Sequence, residues 1–334
     1  MRASVLVREG EIRLESRAVP VPDAGEVLVQ VEAVGVCGSD VHYYRHGRIG
    51  PYIVDEPLVL GHEASGRIVA VGSDVDPGRI GSRVSIEPQR PCGRCRQCRE
   101  ARYNLCERME FYATPPIDGA FAEYVLIHAD FAHDLPDGVS WEAGALLEPL
   151  SVAIWACRKA GIGLGSRVLV AGAGPVGVLV AQTARALGAR EVTVSDVSPE
   201  RLALAAELGA TRVLDAREPL PDELRVDAFI DASGAEPAVR AGIRAVDRAG
   251  RAVLVGLGAE EMALPVSHIQ NFEILVTGVF RYAHTWPAAI QLVAEGRVDL
   301  DALVTSRHPL EEVEAALTIG SQPGQMKAVV QPQL

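Results

Sequence analysis

Between residues 26 and 34 polar Gln30 and Glu32 alternate with Val29, Val31 and Ala33. That period of two is the signature of a half-buried strand. Residues 65–71 and 83–86 read as further strands, separated by the turn-rich Gly72-Ser73-Asp74 and Pro77-Gly78. The stretch 88–108 has neither helical nor strand period, so it is a loop that needs something other than core packing to order it. The pattern changes near Leu146. Residues 151–160 predict a helix, Gly161, Gly163 and Gly165 break it, and strands and helices then alternate. The strands fall at 167–171, 191–195, 212–214, 228–231, 252–255 and 274–279, with helices at 175–187 and 199–208. Strands alternating with helices imply a parallel, doubly wound sheet. A helix at 286–295 and a short mixed tail follow. The expected fold class is thus α/β, a β-rich domain joined to a doubly wound one.

Length supports two domains, since 334 residues exceed one ordinary core. A hydrophobic fraction of 48% and a charged fraction of 23% are those of a globular protein in water. The net charge of −12 and pI near 5.2 argue against nucleic acid as main partner, because phosphate binding needs a basic surface. The N-terminus turns polar at Arg8-Glu9, too early for a signal peptide. No apolar run approaches membrane-spanning length. Clustered cysteines without an export signal favour metal binding in a reducing compartment over disulfides, and the expected location is the cytoplasm.

Gly172-Ala173-Gly174-Pro175-Val176-Gly177 is a G-x-G-x-x-G hexad placed between a predicted strand and a predicted helix. Gly172 permits the tight turn, Gly174 lets a pyrophosphate approach the backbone, and Gly177 lets helix and strand pack closely. The phosphates would sit at the helix N-terminus. Asp196 lies 19 residues beyond Gly177, where an acid accepts hydrogen bonds from ribose hydroxyls and disfavours a 2′-phosphate. NAD is therefore expected over NADP. Arg201 could instead stack on adenine or receive a 2′-phosphate, and Asp196 also suits the turn before Ser198-Pro199.

Five of the six cysteines precede residue 107, and they divide four to one. Cys92, Cys95, Cys98 and Cys106 form C-x2-C-x2-C-x7-C, the donor set of a closed structural zinc site. Disulfides and a zinc knuckle for nucleic acid are the alternatives. Arg94, Arg96 and Arg99 make the loop locally basic, and Glu100, Glu107 and Glu110 dilute that charge. Cys37 stands apart, with His62-Glu63 later and Glu148 further on. A mixed set of thiolate, imidazole and carboxylate suits a catalytic zinc with an open position. His62 and Glu63 are neighbours, and successive side chains of a regular strand face opposite ways, so both can bind one ion only if Gly61 bends the chain.

Together these residues resemble the zinc-containing medium-chain dehydrogenase/reductase family, in its polyol branch of sorbitol (L-iditol 2-) dehydrogenase type. The matching stretches are 35–43 around Cys37, 59–66 around His62, Ala113-Thr114-Pro115-Pro116, 147–152 around Glu148 and Val279-Phe280-Arg281-Tyr282. The resemblance implies a GroES-like catalytic domain (1–147 with 283–334, including a zinc lobe at 88–108) and a Rossmann NAD-binding domain (148–282), with the active site between them. It implies catalytic zinc on Cys37, His62 and Glu63, reached by Glu148 directly or through water, and two zinc ions per chain. It assigns substrate contacts to Tyr43, Glu148, Arg281 and Tyr282, with Ser39, Phe111 and Thr114 lining the cleft. NAD contacts would be Val176, Asp196, Arg201, Val255, Gly256, Leu257, Val279, Phe280 and Arg281. Animal sorbitol dehydrogenases generally lack the four-cysteine lobe that many microbial relatives keep, which weakens sorbitol in particular.

The implied activity is NAD-linked oxidation of a polyol's secondary hydroxyl to a ketone, with Glu148 or a zinc-bound hydroxide taking the proton and Ser39 passing it outward. Family analogy also implies a homotetramer. L-threonine 3-dehydrogenase and 2,3-butanediol dehydrogenase are the alternative activities, and a non-catalytic zinc- and dinucleotide-binding sensor is the alternative class. Without the family, Arg281 would be an ordinary salt-bridge residue, and Tyr43 or Phe111 a packed core ring.

Overall fold

The computed structural model describes residues 1–334, the side chain of Ser321 excepted. The chain forms two compact units, Met1–Glu148 with Leu300–Leu334, and Pro149–Asp299.

In the first unit the strand Glu26–Gly35 is central to a seven-stranded sheet. It pairs antiparallel with Glu63–Val71 on one side and with Lys327–Gln331 on the other. Arg83–Ile86 and Ala132–Asp134 extend the sheet beyond Glu63–Val71, and Val304–Pro309 extends it beyond Lys327–Gln331. Alternation explains the burial. Val27, Val29 and Val31 are fully buried and join Ile68, Ile86, Phe121 and Ile127 in one apolar core. Arg2–Arg8 and Glu11–Ser16 form a hairpin that pairs with Leu58–Val59 in a separate small sheet.

The second unit carries six parallel strands. In spatial order they are Arg212–Asp215, Glu191–Asp196, Arg167–Ala171, Val226–Asp231, Val246–Leu254 and Leu275–Gly278. Numbered along the unit, that order is 3-2-1-4-5-6, which places the reversal of direction at Arg167–Ala171 and its loop. The inner strands Arg167–Ala171 and Val226–Asp231 are mostly buried and apolar, as parallel strands covered on both faces must be, whereas the edge strands Arg212–Asp215 and Leu275–Gly278 are exposed or half-buried. Leu169, Phe229, Val239, Ile243 and Val246 form the core here.

Several boundaries differ from the sequence reading. The helix expected at 151–160 spans Trp141–Ala160 and contains Pro149. A proline removes one helical hydrogen bond, but Leu146, Leu147 and Leu150 around it are fully buried, and that packing outweighs the lost bond. The unit boundary between Glu148 and Pro149 falls inside this helix. The chain rejoins the first unit at Leu300, not at residue 283, because the helix Trp286–Ala294 stays with the second unit. The helices Gly38–His46 and Glu236–Ala245 carry no prior expectation. Among the described residues no helix is long and apolar enough to cross a membrane.

Candidate active site

Cys37 is the N-cap of the helix Gly38–His46, so a negative ligand there sits at the positive end of the helix dipole. Gly61 has φ +87, the left-handed region that a glycine enters without strain. A side chain at 61 would also meet Phe121 at 2.9 Å and Val34 at 3.0 Å. The bend delays the start of the strand to Glu63, so His62 and Glu63 are not alternating residues of one pleat. One donor atom each from Cys37, His62 and Glu63 lies within 4.8 Å of the others. The Phe111 ring stands over His62 with centroids 5.6 Å apart.

Two residues given no role by sequence reasoning complete this cluster. Asp40 is fully buried and accepts hydrogen bonds from the Cys37 N–H and the Gly61 N–H, both at 3.0 Å. Its Oδ1 also lies 3.6 Å from His62 Nδ1. Burial pushes the Asp40 carboxyl up, but His62 and the two backbone donors hold it below its ordinary value. Burial pushes the His62 imidazole down, and the Asp40 and Cys37 charges overcome that and raise it. A carboxylate behind a ligating histidine fixes its tautomer and orientation. Lys327 is the second residue. Its Nζ donates to Glu63 Oε1 at 2.6 Å and to the Val36 carbonyl at 2.8 Å. The lysine is 4% exposed and Glu63 fully buried. Burial lowers the Lys327 ammonium, and Glu63 and Cys37 more than reverse this.

Glu63 Oε2 is buried and has no hydrogen-bond partner. A buried carboxylate oxygen left so is costly unless a cation meets it. With a thiolate and an imidazole beside it, the donor set fits a zinc ion with an open fourth position. Glu148 is 5% exposed and is not a member of the close donor group. Its charge nonetheless acts on Lys327, after those of Glu63 and Cys37.

The four-cysteine lobe forms the second donor cluster. The Cys95 Sγ lies 3.5 Å from that of Cys98 and 3.9 Å from that of Cys106. A tetrahedron with Zn–S bonds of about 2.3 Å has edges of about 3.75 Å, and a disulfide needs about 2.05 Å. All six cysteines are free. The backbone N–H groups of Arg94 and Cys95 hold the Cys92 thiol down to about 6. Burial and the Cys95 thiol push Cys98 up to about 12. Four sulfurs this close become thiolates together only around a cation, so the lobe fits a structural zinc.

In the second unit the hexad has the geometry its sequence requires. Gly172 takes φ +95, and a Cβ on Gly177 would stand 1.9 Å from the Gly172 carbonyl oxygen. Gly174 is the N-cap of the helix Pro175–Ala186, and a Cβ there meets nothing within 4 Å, which leaves room for a phosphate. Asp196 accepts from the Ala173 N–H at 2.6 Å and from the Ser198 N–H at 2.9 Å. It thus braces the phosphate loop, and each oxygen keeps a second lone pair for a ribose hydroxyl. Val176 and Arg201 flank this end half-buried. Val255 and Gly256 both donate to the Asp231 carbonyl, and Leu257 beside them is 68% exposed. Val279, Phe280 and Arg281 follow the last strand. Arg281 has φ +54, with its guanidinium 4.8 Å from the Phe280 ring centre.

The remaining substrate assignments divide. Ser39 is half-buried in the first turn of its helix, and Tyr43 is buried in the first unit's apolar core. Tyr282 is fully buried and packs on Trp286 at 5.1 Å between centroids, as a core ring does.

Residues 23–137 match the alcohol dehydrogenase GroES-like domain family, and residues 175–295 match the zinc-binding dehydrogenase family. A sorbitol dehydrogenase from Bacillus subtilis is 42% identical over 326 residues, covering 95% of this chain and 92% of its own. The chain belongs to the zinc-containing medium-chain dehydrogenases, in their polyol branch. A sorbitol dehydrogenase from Bos taurus is 45% identical over 313 residues, 91% of this chain and 88% of its own. The solved structure of L-idonate 5-dehydrogenase from Escherichia coli superposes with a TM-score of 0.93 at 29% identity, covering 99% of this chain and 97% of that one. Membership of this dehydrogenase family accounts for the two donor clusters and the dinucleotide hexad in one chain.

Proposed function

We propose that this polyol dehydrogenase takes a secondary hydroxyl of an acyclic polyol to the ketone and prefers NAD to NADP. The observation that carries the reading is the convergence of Cys37, His62 and Glu63 donors within 4.8 Å, beside an unpartnered buried carboxylate oxygen. Bound there, zinc would polarise the substrate hydroxyl while the nicotinamide accepts the hydride. The chain's own residues hold these groups and move the proton. Cys37, His62 and Glu63 hold the ion, and Asp40 orients the imidazole. Glu148 accepts the hydroxyl proton, and half-buried Ser39 passes it to water. Arg281 and Phe280 contact substrate and cofactor. Cys92, Cys95, Cys98 and Cys106 hold a second zinc, giving two per chain. NAD preference is supported by Asp196, whose negative charge would oppose a 2′-phosphate.

We also place the enzyme in the cytoplasm as a homotetramer. Six cysteines without a disulfide support a reducing compartment. The strand Leu275–Gly278 is an edge of the second unit's sheet, with Leu275 53% and nearby Val266 59% exposed, and an apolar edge of this kind favours pairing with a like chain.

NADH formation measured with sorbitol, L-iditol, xylitol, ribitol, 2,3-butanediol and L-threonine, each with NAD and NADP, tests the reading. Turnover of a polyol with NAD is expected. Turnover of L-threonine alone, or of none of these, would overturn it.

A further inference from the structure

The first unit's sheet brings a third strand to bear on the ion site. Gly35 pairs with Glu63 on one side and with Val329 on the other. Residues opposite one another in a sheet share a face, and Lys327, two positions from Val329, lies on that face too. The Glu63 side chain crosses over Gly35 to reach the lysine. A Cβ on Gly35 would stand 2.0 Å from Glu63 Oε2 and 3.2 Å from its carboxyl carbon. The crossing exists only because position 35 has no side chain. At its far side Lys327 takes Oε1, and Oε2 is left buried with no hydrogen-bond partner.

We propose that Lys327 is a positioning residue for the catalytic ion, fixing which oxygen of Glu63 is presented to it. This rests on the reading of Cys37, His62 and Glu63 as the ion's ligands. The lysine holds Oε1 and turns Oε2 towards the ion. Before an ion is bound, the ammonium also offsets the buried Glu63 carboxylate beside the Cys37 thiolate. The Val36 carbonyl anchors the ammonium from the residue next to Cys37, so ligand and support share one piece of backbone.

The test uses the full-length zinc-loaded enzyme, with zinc affinity measured by chelator competition and the cobalt-substituted protein followed by visible absorption. The ion on the four cysteines is the internal reference for a folded first unit. For Lys327→Met the affinity of the catalytic site is expected to fall by about 10–100-fold, the usual cost of losing a partner behind a ligand. Its cobalt bands should shift, and the reference ion should stay. Lys327→Arg should recover at least half of the logarithmic loss. Catalytic-site affinity within about twofold of wild type and unchanged cobalt bands in Lys327→Met would overturn the proposal. If Lys327→Met also loses the reference ion, Gly35→Ala decides. Its methyl would displace Oε2 with the lysine still present, so selective loss of the catalytic ion is expected and full retention refutes. A Cys37→Ala control that keeps both ions would refute the ligand reading itself. Failure at Lys327 alone leaves that reading standing.

Discussion

Asp40 is the most exacting place to test the architecture of the catalytic ion site. It is fully buried, and its two oxygens are shared between the N–H groups of Cys37 and Gly61, each at 3.0 Å. Asp40→Ala leaves both donors unpaired, the Gly61 N–H buried and the Cys37 N–H part-buried. An unsatisfied buried donor costs about 1–3 kcal/mol, so the loss of stability should be about 2–6 kcal/mol. Asp40→Asn keeps the shape and one acceptor but points an amide NH2 at the other donor, and about half that loss is expected. Cys37 is itself an ion ligand and Gly61 precedes another, and His62 loses its carboxylate neighbour, so zinc affinity should fall by about 10–100-fold in the alanine variant. Urea unfolding followed by circular dichroism gives the first quantity, and chelator competition gives the second. A loss below about 1 kcal/mol together with unchanged zinc retention would show that Asp40 neither shapes the loop nor supports the histidine.

Glu148→Ala should retain NADH binding, followed by fluorescence titration, while losing most of kcat; an unchanged kcat removes Glu148 from proton transfer. Cys98→Ser should release one zinc per chain by metal counting and leave the Cys37 ion in place, and loss of both would mean that the lobe supports the whole first unit. Asp227 is held below its ordinary value by the Arg167 side chain, so its contribution is present above the unfolded carboxyl value and fades as pH falls through the folded one. The urea midpoint of Asp227→Asn should therefore trail wild type near neutrality and converge with it below about pH 4; a gap that widens in acid contradicts the ion pair. Asp196→Ala, which removes the brace on Ala173 as well as a ribose acceptor, should raise the KM for NAD more than it lowers kcat.

Much of this molecule is legible in the sequence because its signals are local. The period-2 strand at Glu26–Gly35, the hexad before Pro175–Ala186 and the four-cysteine run each declare themselves within a few residues. The condition set on Gly61, that it must bend the chain for His62 and Glu63 to converge, is a local one and is met at φ +87. The sequence predicts only residues 151–160 of the helix Trp141–Ala160, because the turns around Pro149 are held by burial that only the folded unit supplies. Asp40 had a readable signal, an acid three residues into a helix capped by Cys37. Lys327 had a fainter one, a lone charge in the apolar run Met326-Lys327-Ala328-Val329-Val330. Its partner lies 264 positions away, and no pattern along the chain connects them.

That separation bears on how the protein is made. The sheet of the first unit is finished by a strand synthesised after the entire second unit, so Glu63 waits for its lysine through most of translation. The inserted unit has only internal strand pairings and can settle on the ribosome, whereas the metal-binding sheet is bound to close late and by long-range encounter. On the proposed assignment, the site of Cys37, His62 and Glu63 reaches full affinity for its ion only once Lys327 is in place, whereas the four-cysteine lobe, whose donors lie within a short run, can load first.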